Sequence, residues 1–141
     1  AWKWGQRCLV VTDGFYEWKK LDPKGKEKQP YAIAMADNAP MVMAGMWAKW
    51  KSPEGEQVLS CTILTCSPNG AMGELHDRMP VILDEDAYAL WLDPEFDEPQ
   101  ALQQLLRPCD ADFLVATPVS TYVNNPRHEG PQCIVANEPG G

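Results

Sequence analysis

Apolar runs separated by turn residues dominate the first half of the chain and predict a series of strands. The runs lie at residues 8–12, 31–36, 41–47 and 57–66, and a further run lies late in the chain at 113–119. Each is at least five residues long and has Pro, Asp or Ser next to at least one end, as strands often do. The segment 37–40 joins the second run to the third, and its Asp-Asn-Ala-Pro sequence predicts a β-hairpin between them.

Helix signals appear only later in the chain. Ser67 followed by Pro68 predicts a short helix with a capping Ser and Pro at its first position. Asp84 predicts the start of the next helix, which Pro94 limits, and residues 98–107 predict a third. Consecutive hairpins with helices between the later strands predict an α+β fold. We expect a mostly antiparallel, curled sheet or partial barrel with short flanking helices.

The length and composition fit one globular domain. The 141 residues are 45% hydrophobic, which is enough to bury a core, so we expect a single domain over residues 1–141. Residues 124–141 are rich in Pro, Gly and Asn and are predicted to form a partly flexible tail. No run approaches the roughly 18 apolar residues of a membrane span, so we expect no membrane partner.

The cysteines favour neither disulfides nor a metal. There are five of them, an odd number, at positions 8, 61, 66, 109 and 133, without CxxC spacing. We therefore expect no metal site and no cofactor. Cys8, Cys61 and Cys66 lie in strand-like runs and are predicted to be buried, reduced thiols, which favours a cytoplasmic location.

The net charge of −8 argues against non-specific binding to duplex DNA, which requires a basic surface. Acidic residues nevertheless cluster late in the sequence, at 84–86 and 95–98, so a locally basic groove is compatible with the composition.

The run His76-Asp77-Arg78 is the richest in reactive groups, and it directly precedes an apolar strand-like segment. His76 can exchange protons near neutral pH, although a capping or core histidine is the structural alternative. Arg78 can bind a phosphate bidentately or pair with a carboxylate. Glu17, between aromatics, is either a desolvated general acid or a strand-edge residue that points to water. Trp18 can stack on an unpaired base or belong to the core.

Several segments occur together in the order typical of one family. They are CLVVTDGFYEW at 8–18, QPYAI at 29–33, AGMWAKW at 44–50, TILT at 62–65, HDRMPVIL at 76–83, WL at 91–92 and VSTYVNNPR at 119–127. With these segments the chain resembles the SRAP family (SOS-response-associated peptidase-like proteins), whose members sense abasic sites in single-stranded DNA.

The resemblance implies roles for individual residues. Glu17 corresponds to the catalytic Glu of the family, and His76 to the His that assists ring opening of the abasic sugar and Schiff-base chemistry. Arg78 corresponds to an Arg beside the DNA backbone. The Thr65 hydroxyl is expected to face the site, although a strand Thr chosen for β-propensity is the alternative.

The family nucleophile is an N-terminal Cys. Its α-amine forms a Schiff base with the ring-opened aldehyde, and its thiol then closes a thiazolidine ring. This sequence starts at Ala1, a few residues before GFYEW. We therefore expect the chain to lack the N-terminal third of a SRAP domain and to be inactive alone.

The resemblance thus implies a covalent sensor of abasic sites in single-stranded DNA, with peptidase-like or lyase-like chemistry, acting in the SOS and DNA-damage response. It would be cytoplasmic and associated with the nucleoid when on DNA. A non-catalytic single-strand binding module and a cysteine hydrolase or autopeptidase, using Cys66 with His76, remain alternatives. The oligomeric state does not follow from the sequence.

Overall fold

The computed structural model describes residues 6–134 with the exception of 71, 74 and 97. Its strands are β1 (Arg7–Thr12), β2 (Gly14–Lys20), β3 (Lys28–Met35), β4 (Met41–Lys51), β5 (Gln57–Ile63), β6 (Thr65–Cys66), β7 (Met79–Pro80) and β8 (Leu114–Pro118). Its α-helices are α1 (Glu85–Leu92) and α2 (Pro99–Gln103), and short 3-10 helices lie at Ala111–Phe113, Thr121–Asn124 and Pro131–Ile134. The chain forms two compact units, each built from three separate stretches of sequence.

The first unit comprises the described residues of Ala1–Val11, Val42–Ser67 and Met79–Cys109. Its sheet has the strand order β1-β4-β5, and β6 pairs with β7 in a separate two-stranded ladder. Strand β4 runs antiparallel to β5 over seven residue pairs. Its fully or nearly fully buried side chains include Met43, Ala44, Met46, Val81, Ile82, Leu83, Trp91 and Leu102.

A buried arginine fastens strand β1 to the end of helix α1. Arg7 is only 6% exposed. Its guanidinium donates to the carbonyl oxygens of Trp91 at 2.5 Å, of Phe96 at 2.7 Å and of Asp93. It also lies 5.4 Å from the centre of the Trp91 ring. These carbonyls end the helix or follow it, where the partial negative charge of the helix dipole favours a cation.

The second unit comprises Thr12–Met41 and the described residues of Pro68–Arg78 and Asp110–Gly141. Its sheet has the order β2-β3-β8, and all its neighbouring strands are antiparallel. In β2 and β3 the pairs run from Gly14 opposite Ala34 to Lys20 opposite Lys28. This register fixes which side chains share a face, because successive residues of a strand point to opposite faces.

The predicted α+β class with mostly antiparallel strands and short helices is confirmed. In the described part of the chain the sheets do not close into a barrel. Helix α1 starts as predicted, because the Asp84 side chain accepts a hydrogen bond from the Ala87 amide at 3.2 Å. Residues 135–141 of the predicted flexible tail lie outside the described residues.

The predicted hairpin between residues 31–36 and 41–47 is wrong. Strand β3 pairs with β2 on one edge and with β8 on the other, so β4 pairs with β1 and β5 instead. A strand has only two edges for hydrogen bonding, and both edges of β3 are occupied. The runs are apolar enough to fit either partner, which is why the pattern did not distinguish them.

Three local predictions also need correction. The segment after Ser67 forms no helix in its described residues. Instead the Asn69 side chain accepts from the Met72 amide at 3.0 Å in a turn. Helix α2 is shorter than the predicted span of 98–107. Cys61 is exposed, because Leu59, Cys61 and Ile63 alternate onto one open face of β5, at the edge of its sheet.

Gly14 begins β2 at a point where no side chain fits. A Cβ atom at this position would lie 2.3 Å from the Ile33 carbonyl oxygen, which belongs to the paired strand. We expect Gly14→Ala to destabilise the protein by about 1–3 kcal/mol, since the backbone must move to relieve the overlap. Urea unfolding of the variant measures the effect.

Gly70→Ala is the matched control for this substitution. Nothing lies within 4 Å of a Cβ built on Gly70, so its stability should change by no more than about 0.5 kcal/mol. Equal unfolding midpoints for the two variants would show that the approach of β2 to β3 at Gly14 is not tight.

Candidate functional site

Strand β2 presents Glu17 on one face of the second sheet. Phe15, Glu17 and Lys19 share this face by alternation, and Glu17 stands directly opposite Tyr31 of β3. The Glu17 side chain is 21% exposed, so the carboxylate is half-buried yet accessible to a ligand. A rigid, paired strand thus holds the carboxylate in one place.

The loop between β6 and β7 brings His76 to the same carboxylate. The Nε2 atom of His76 lies 4.0 Å from Oε1 of Glu17, and the His76 side chain is 47% exposed. This distance is too long for a direct hydrogen bond. It leaves room for one oxygen atom of a ligand to lie within hydrogen-bond distance of both groups.

Local contacts orient the His76 ring. Its Nδ1 atom accepts from the Arg78 amide at 3.2 Å, and it also lies 3.2 Å from the Arg78 carbonyl oxygen and from Oδ1 of Asp77. When Nδ1 accepts, the neutral ring carries its proton on Nε2, which faces Glu17. When the ring is doubly protonated, Nδ1 can donate to Asp77 or to the Arg78 carbonyl. Both protonation states therefore have partners in the loop.

The pair suits proton transfer to and from a bound oxygen. A carboxylate can take a proton from a hydroxyl while the imidazole donates one from Nε2, and histidine changes its charge near neutral pH. Glu17 and His76 are the two residues predicted from the sequence to be catalytic, and the structure brings their side chains to within 4.0 Å of each other.

Arg78 and Thr65, two other predicted site residues, belong to a loop and to a strand that differ from β2. Arg78 is exposed and follows His76 in the same loop. Thr65 belongs to the first unit, where it is exposed at the start of β6. It is therefore not among the residues that the second unit assembles around Glu17.

Trp18 lies on the opposite face of β2 from Glu17, because adjacent residues in a strand alternate. Its indole Nε1 donates to Oδ1 of Asn124 at 2.6 Å, and its ring lies 6.3 Å from that of Tyr16. Trp18 and Glu17 therefore form two separate contact points. Asn124 lies 106 positions from Trp18, so a local sequence pattern does not reveal this contact.

A cleft of about 660 Å³ is lined by residues of β2, β3 and β8 and of the adjoining turns in the second unit. Gly14, Tyr16, Ala32, Ala34 and Thr117 contribute to its lining, so its walls are mostly small side chains. Desolvation by burial, and secondarily the nearby Cys133 thiol, raise the pKa of the Tyr16 phenol. Tyr16 therefore stays neutral at physiological pH and offers a hydroxyl donor.

The described residues contain neither a candidate metal cluster nor a helix that could span a membrane. No group of three or more His, Cys, Asp or Glu side chains is arranged to hold a metal ion in that part of the chain. Within the same residues, no helix has the length and apolar character needed to cross a membrane.

The family model for SRAP, the SOS response associated peptidase family, matches residues 1–126. The chain belongs to the SRAP family. The match contains the Glu17–His76 pair and both segments that position it.

Curated relatives have names that refer to abasic sites. The chain is 44% identical over 129 residues to the abasic site processing protein YoqW of Bacillus subtilis, covering 92% of this chain and 57% of the relative. It is 38% identical over 152 residues to the abasic site processing protein HMCES of Xenopus tropicalis, covering 94% of this chain and 44% of the relative. The chain thus spans about half the length of these SRAP relatives.

Solved structures share the fold. A crystal structure of a protein from Bacteroides thetaiotaomicron superposes with a TM-score of 0.82 at 26% identity, covering 94% of this chain and 57% of that one. A second, from Bordetella bronchiseptica, gives a TM-score of 0.71 at 31% identity, covering 82% of this chain and 56% of that one.

Proposed function

We propose that the protein senses abasic sites in single-stranded DNA and captures them covalently, as part of the DNA-damage response. The observation that carries the proposal is the Glu17–His76 pair, with Nε2 and Oε1 4.0 Å apart. Membership in a family whose curated relatives are named abasic site processing proteins supports it. We expect the protein to act in the cytoplasm and on the nucleoid.

The pair fits the first chemical step, which opens the abasic sugar. The sugar is a cyclic hemiacetal. Its opening removes a proton from the C1 hydroxyl, breaks the bond from C1 to the ring oxygen and places a proton on that oxygen. Glu17 can accept the first proton and His76 can donate the second from Nε2. Proton transfer by positioned groups of this kind contributes about 10²–10⁴-fold to rates.

The covalent steps follow from the aldehyde. An α-amine adds to it, the carbinolamine loses water to give a Schiff base, and a thiol adds to the carbon–nitrogen double bond to close a thiazolidine. We assign the amine and the thiol to an N-terminal Cys of the complete protein, as the family resemblance implies.

Three further residues are proposed to hold the DNA. Arg78, which is exposed in the loop of His76, is proposed to bind a backbone phosphate. Trp18 offers an aromatic surface for an unpaired base. Thr65 is exposed at the start of β6, and its hydroxyl is proposed to donate a hydrogen bond to the DNA.

A cysteine hydrolase is less well supported by the geometry. Cys66 is 6% exposed, and burial in apolar surroundings makes a thiol a poor nucleophile. One observation favours a binding module without covalent chemistry. Trp18 lies on the face of β2 away from Glu17, and it could bind a base without any reaction at Glu17.

The test mixes the complete gene product with a single-stranded oligonucleotide that carries one abasic site. A heat-stable band of lower mobility on a denaturing gel is the expected result. An oligonucleotide with a tetrahydrofuran at the same position is the control, because it has no hydroxyl at C1 and cannot open to an aldehyde.

The two alternatives give different results in this experiment. Binding of both oligonucleotides on a native gel, without a denaturation-resistant band, would replace the covalent sensor with a binding module. A band with the tetrahydrofuran oligonucleotide would mean that the bond forms elsewhere than at the sugar aldehyde.

A further inference from the structure

The connection between β2 and β3 concentrates positive charge in an otherwise acidic protein. Residues 19–28 contain five lysines and two acidic residues, a local net charge of +3, whereas the whole chain carries −8. Five of the twelve Lys and Arg residues of the chain thus lie in one hairpin. A local basic patch of this kind attracts a phosphate backbone even when the total charge is negative.

The hairpin has a built loop. The Asp22 carboxylate accepts from the Lys26 amide at 2.8 Å and from the Glu27 amide at 3.3 Å. The Leu21 amide donates to the Glu27 carbonyl at 2.8 Å, and Gly25 has the positive φ of 68° that the tight turn requires. The Asp22 side chain therefore stabilises the loop through hydrogen bonds to backbone amides. The loop in turn fixes the backbone positions from which the Lys26 and Lys28 side chains extend.

A notch lies between this loop and the Trp18 side chain. Trp18, Gly25, Lys26, Lys28 and Asn124 line it, and its volume is about 370 Å³. The hydrogen bond from the indole to Asn124 holds the Trp18 ring. This Lys–Trp notch thus offers a flat aromatic surface beside two exposed ammonium groups. That combination recognises single-stranded nucleic acids through stacking and phosphate contacts.

We propose that the Lys–Trp notch binds a nucleotide that flanks the abasic site, with its base stacked on Trp18 and its phosphate oxygens bound by Lys26 and Lys28. The inference deepens the proposed function and rests on it. It assigns a second subsite for the DNA strand, on the face of the sheet opposite the reacting sugar.

The topology explains how one DNA strand reaches both faces. In the described residues β2 is the edge strand of the order β2-β3-β8 and has no strand paired to its outer edge, and the proposal leads the DNA over this edge. Glu17 and Trp18 are neighbours in that strand and point to its two faces. A single DNA strand that bends over this edge would contact the Glu17–His76 pair on one face of β2 and the Lys–Trp notch on the other face.

The experiment measures binding of the complete gene product to an undamaged single-stranded 20-mer by fluorescence anisotropy, at several salt concentrations. The double variant Lys26→Glu/Lys28→Glu should bind about tenfold more weakly at low salt. Each lost phosphate contact lowers the slope of log affinity against log salt by about 0.7, so the two together lower it by about 1.4. Lys49→Glu/Lys51→Glu, with the same charge change on β4, should keep the wild-type slope.

The stacking part has its own comparison. Trp18→Ala should weaken binding of the 20-mer by about tenfold, within the range measured for base–aromatic stacking. This loss should shrink for an oligomer of tetrahydrofuran phosphates, which keeps the phosphates and lacks the bases.

Equal affinity and equal salt slope for the two double variants would overturn the inference. So would a failure of the wild-type protein to bind the 20-mer at low salt. Because this strand has no abasic site, the result is independent of the covalent band. The two experiments can therefore disagree. If the notch variants bind the 20-mer more weakly but the wild-type protein gives no covalent band, the proposed covalent capture is wrong and the proposed DNA subsite stands.

Discussion

Replacing Glu17 by Gln is expected to slow covalent capture of an abasic site by about 10²–10⁴-fold. The amide keeps the size of the side chain and its place on β2 opposite Tyr31, and it loses the ability to take a proton. His76, 4.0 Å away, then faces a neutral group, so ring opening loses its base. The rate of appearance of the heat-stable band in the complete gene product measures the effect.

Glu54→Gln is the control for the change in charge, because Glu54 is exposed in a turn of the first unit. Its capture rate should stay within about twofold of wild type. If the capture rate of Glu17→Gln also stays within about twofold of wild type, while the variant binds DNA and unfolds like wild type, Glu17 is not the base. His76→Asn combined with Glu17→Gln should cost much less than the product of the single effects, since the two groups act as a unit.

Replacing Arg7 by Met is expected to lower the free energy of unfolding by about 3–5 kcal/mol. The guanidinium satisfies the carbonyl oxygens of Trp91, Asp93 and Phe96 at once. Hydrogen bonds to charged groups contribute about 1.5–3 kcal/mol each and do not add fully. Met fills much of the volume and donates nothing, so three carbonyls at the end of α1 lose their donor. Urea unfolding at neutral pH is the measurement.

Arg107→Met provides the comparison for this change. Arg107 is exposed in the same unit, so its loss should alter stability by no more than about 0.5 kcal/mol. Arg7→Lys should fall between the two variants, because a single ammonium cannot reach three carbonyls with the planar fork of arginine. Equal midpoints for Arg7→Met and Arg107→Met would show that the contacts of Arg7 contribute little.

The sequence pattern predicted elements better than it predicted their partners. Local signals located helix α1, because Asp84 caps it through a contact three residues away. The partner of β3 depends on which strands occupy its edges, and β8 lies about eighty positions later in the chain. Apolar periodicity contains no information on such pairing. The same limit applies to Arg7, whose partners lie more than eighty positions away.

The candidate site was predicted in part. The motifs that contain Glu17 and His76 indicated both residues, and the structure brings their side chains together. That Trp18 points away from Glu17 follows from strand alternation, but only once β2 is known to be a regular strand. The sequence did not predict that three residues of the notch lie together, namely Lys26, Lys28 and Asn124. A loop rich in lysine is typical of a solvent-exposed segment. Asn124 is distant from these lysines in the sequence and comes close to them only in the folded protein.

The order of segments in the two units has a consequence for dissecting the protein. The chain enters each unit three times, and the segments of the two units alternate along the sequence. No single cut can separate one unit as a continuous fragment, because every division removes strands or loops from both. The Glu17–His76 pair is itself split between the first and second segments of its unit. Each unit therefore needs segments that lie far apart in the sequence, and a fragment that contains only the unit of Glu17 and His76 cannot be made by trimming the chain from either end.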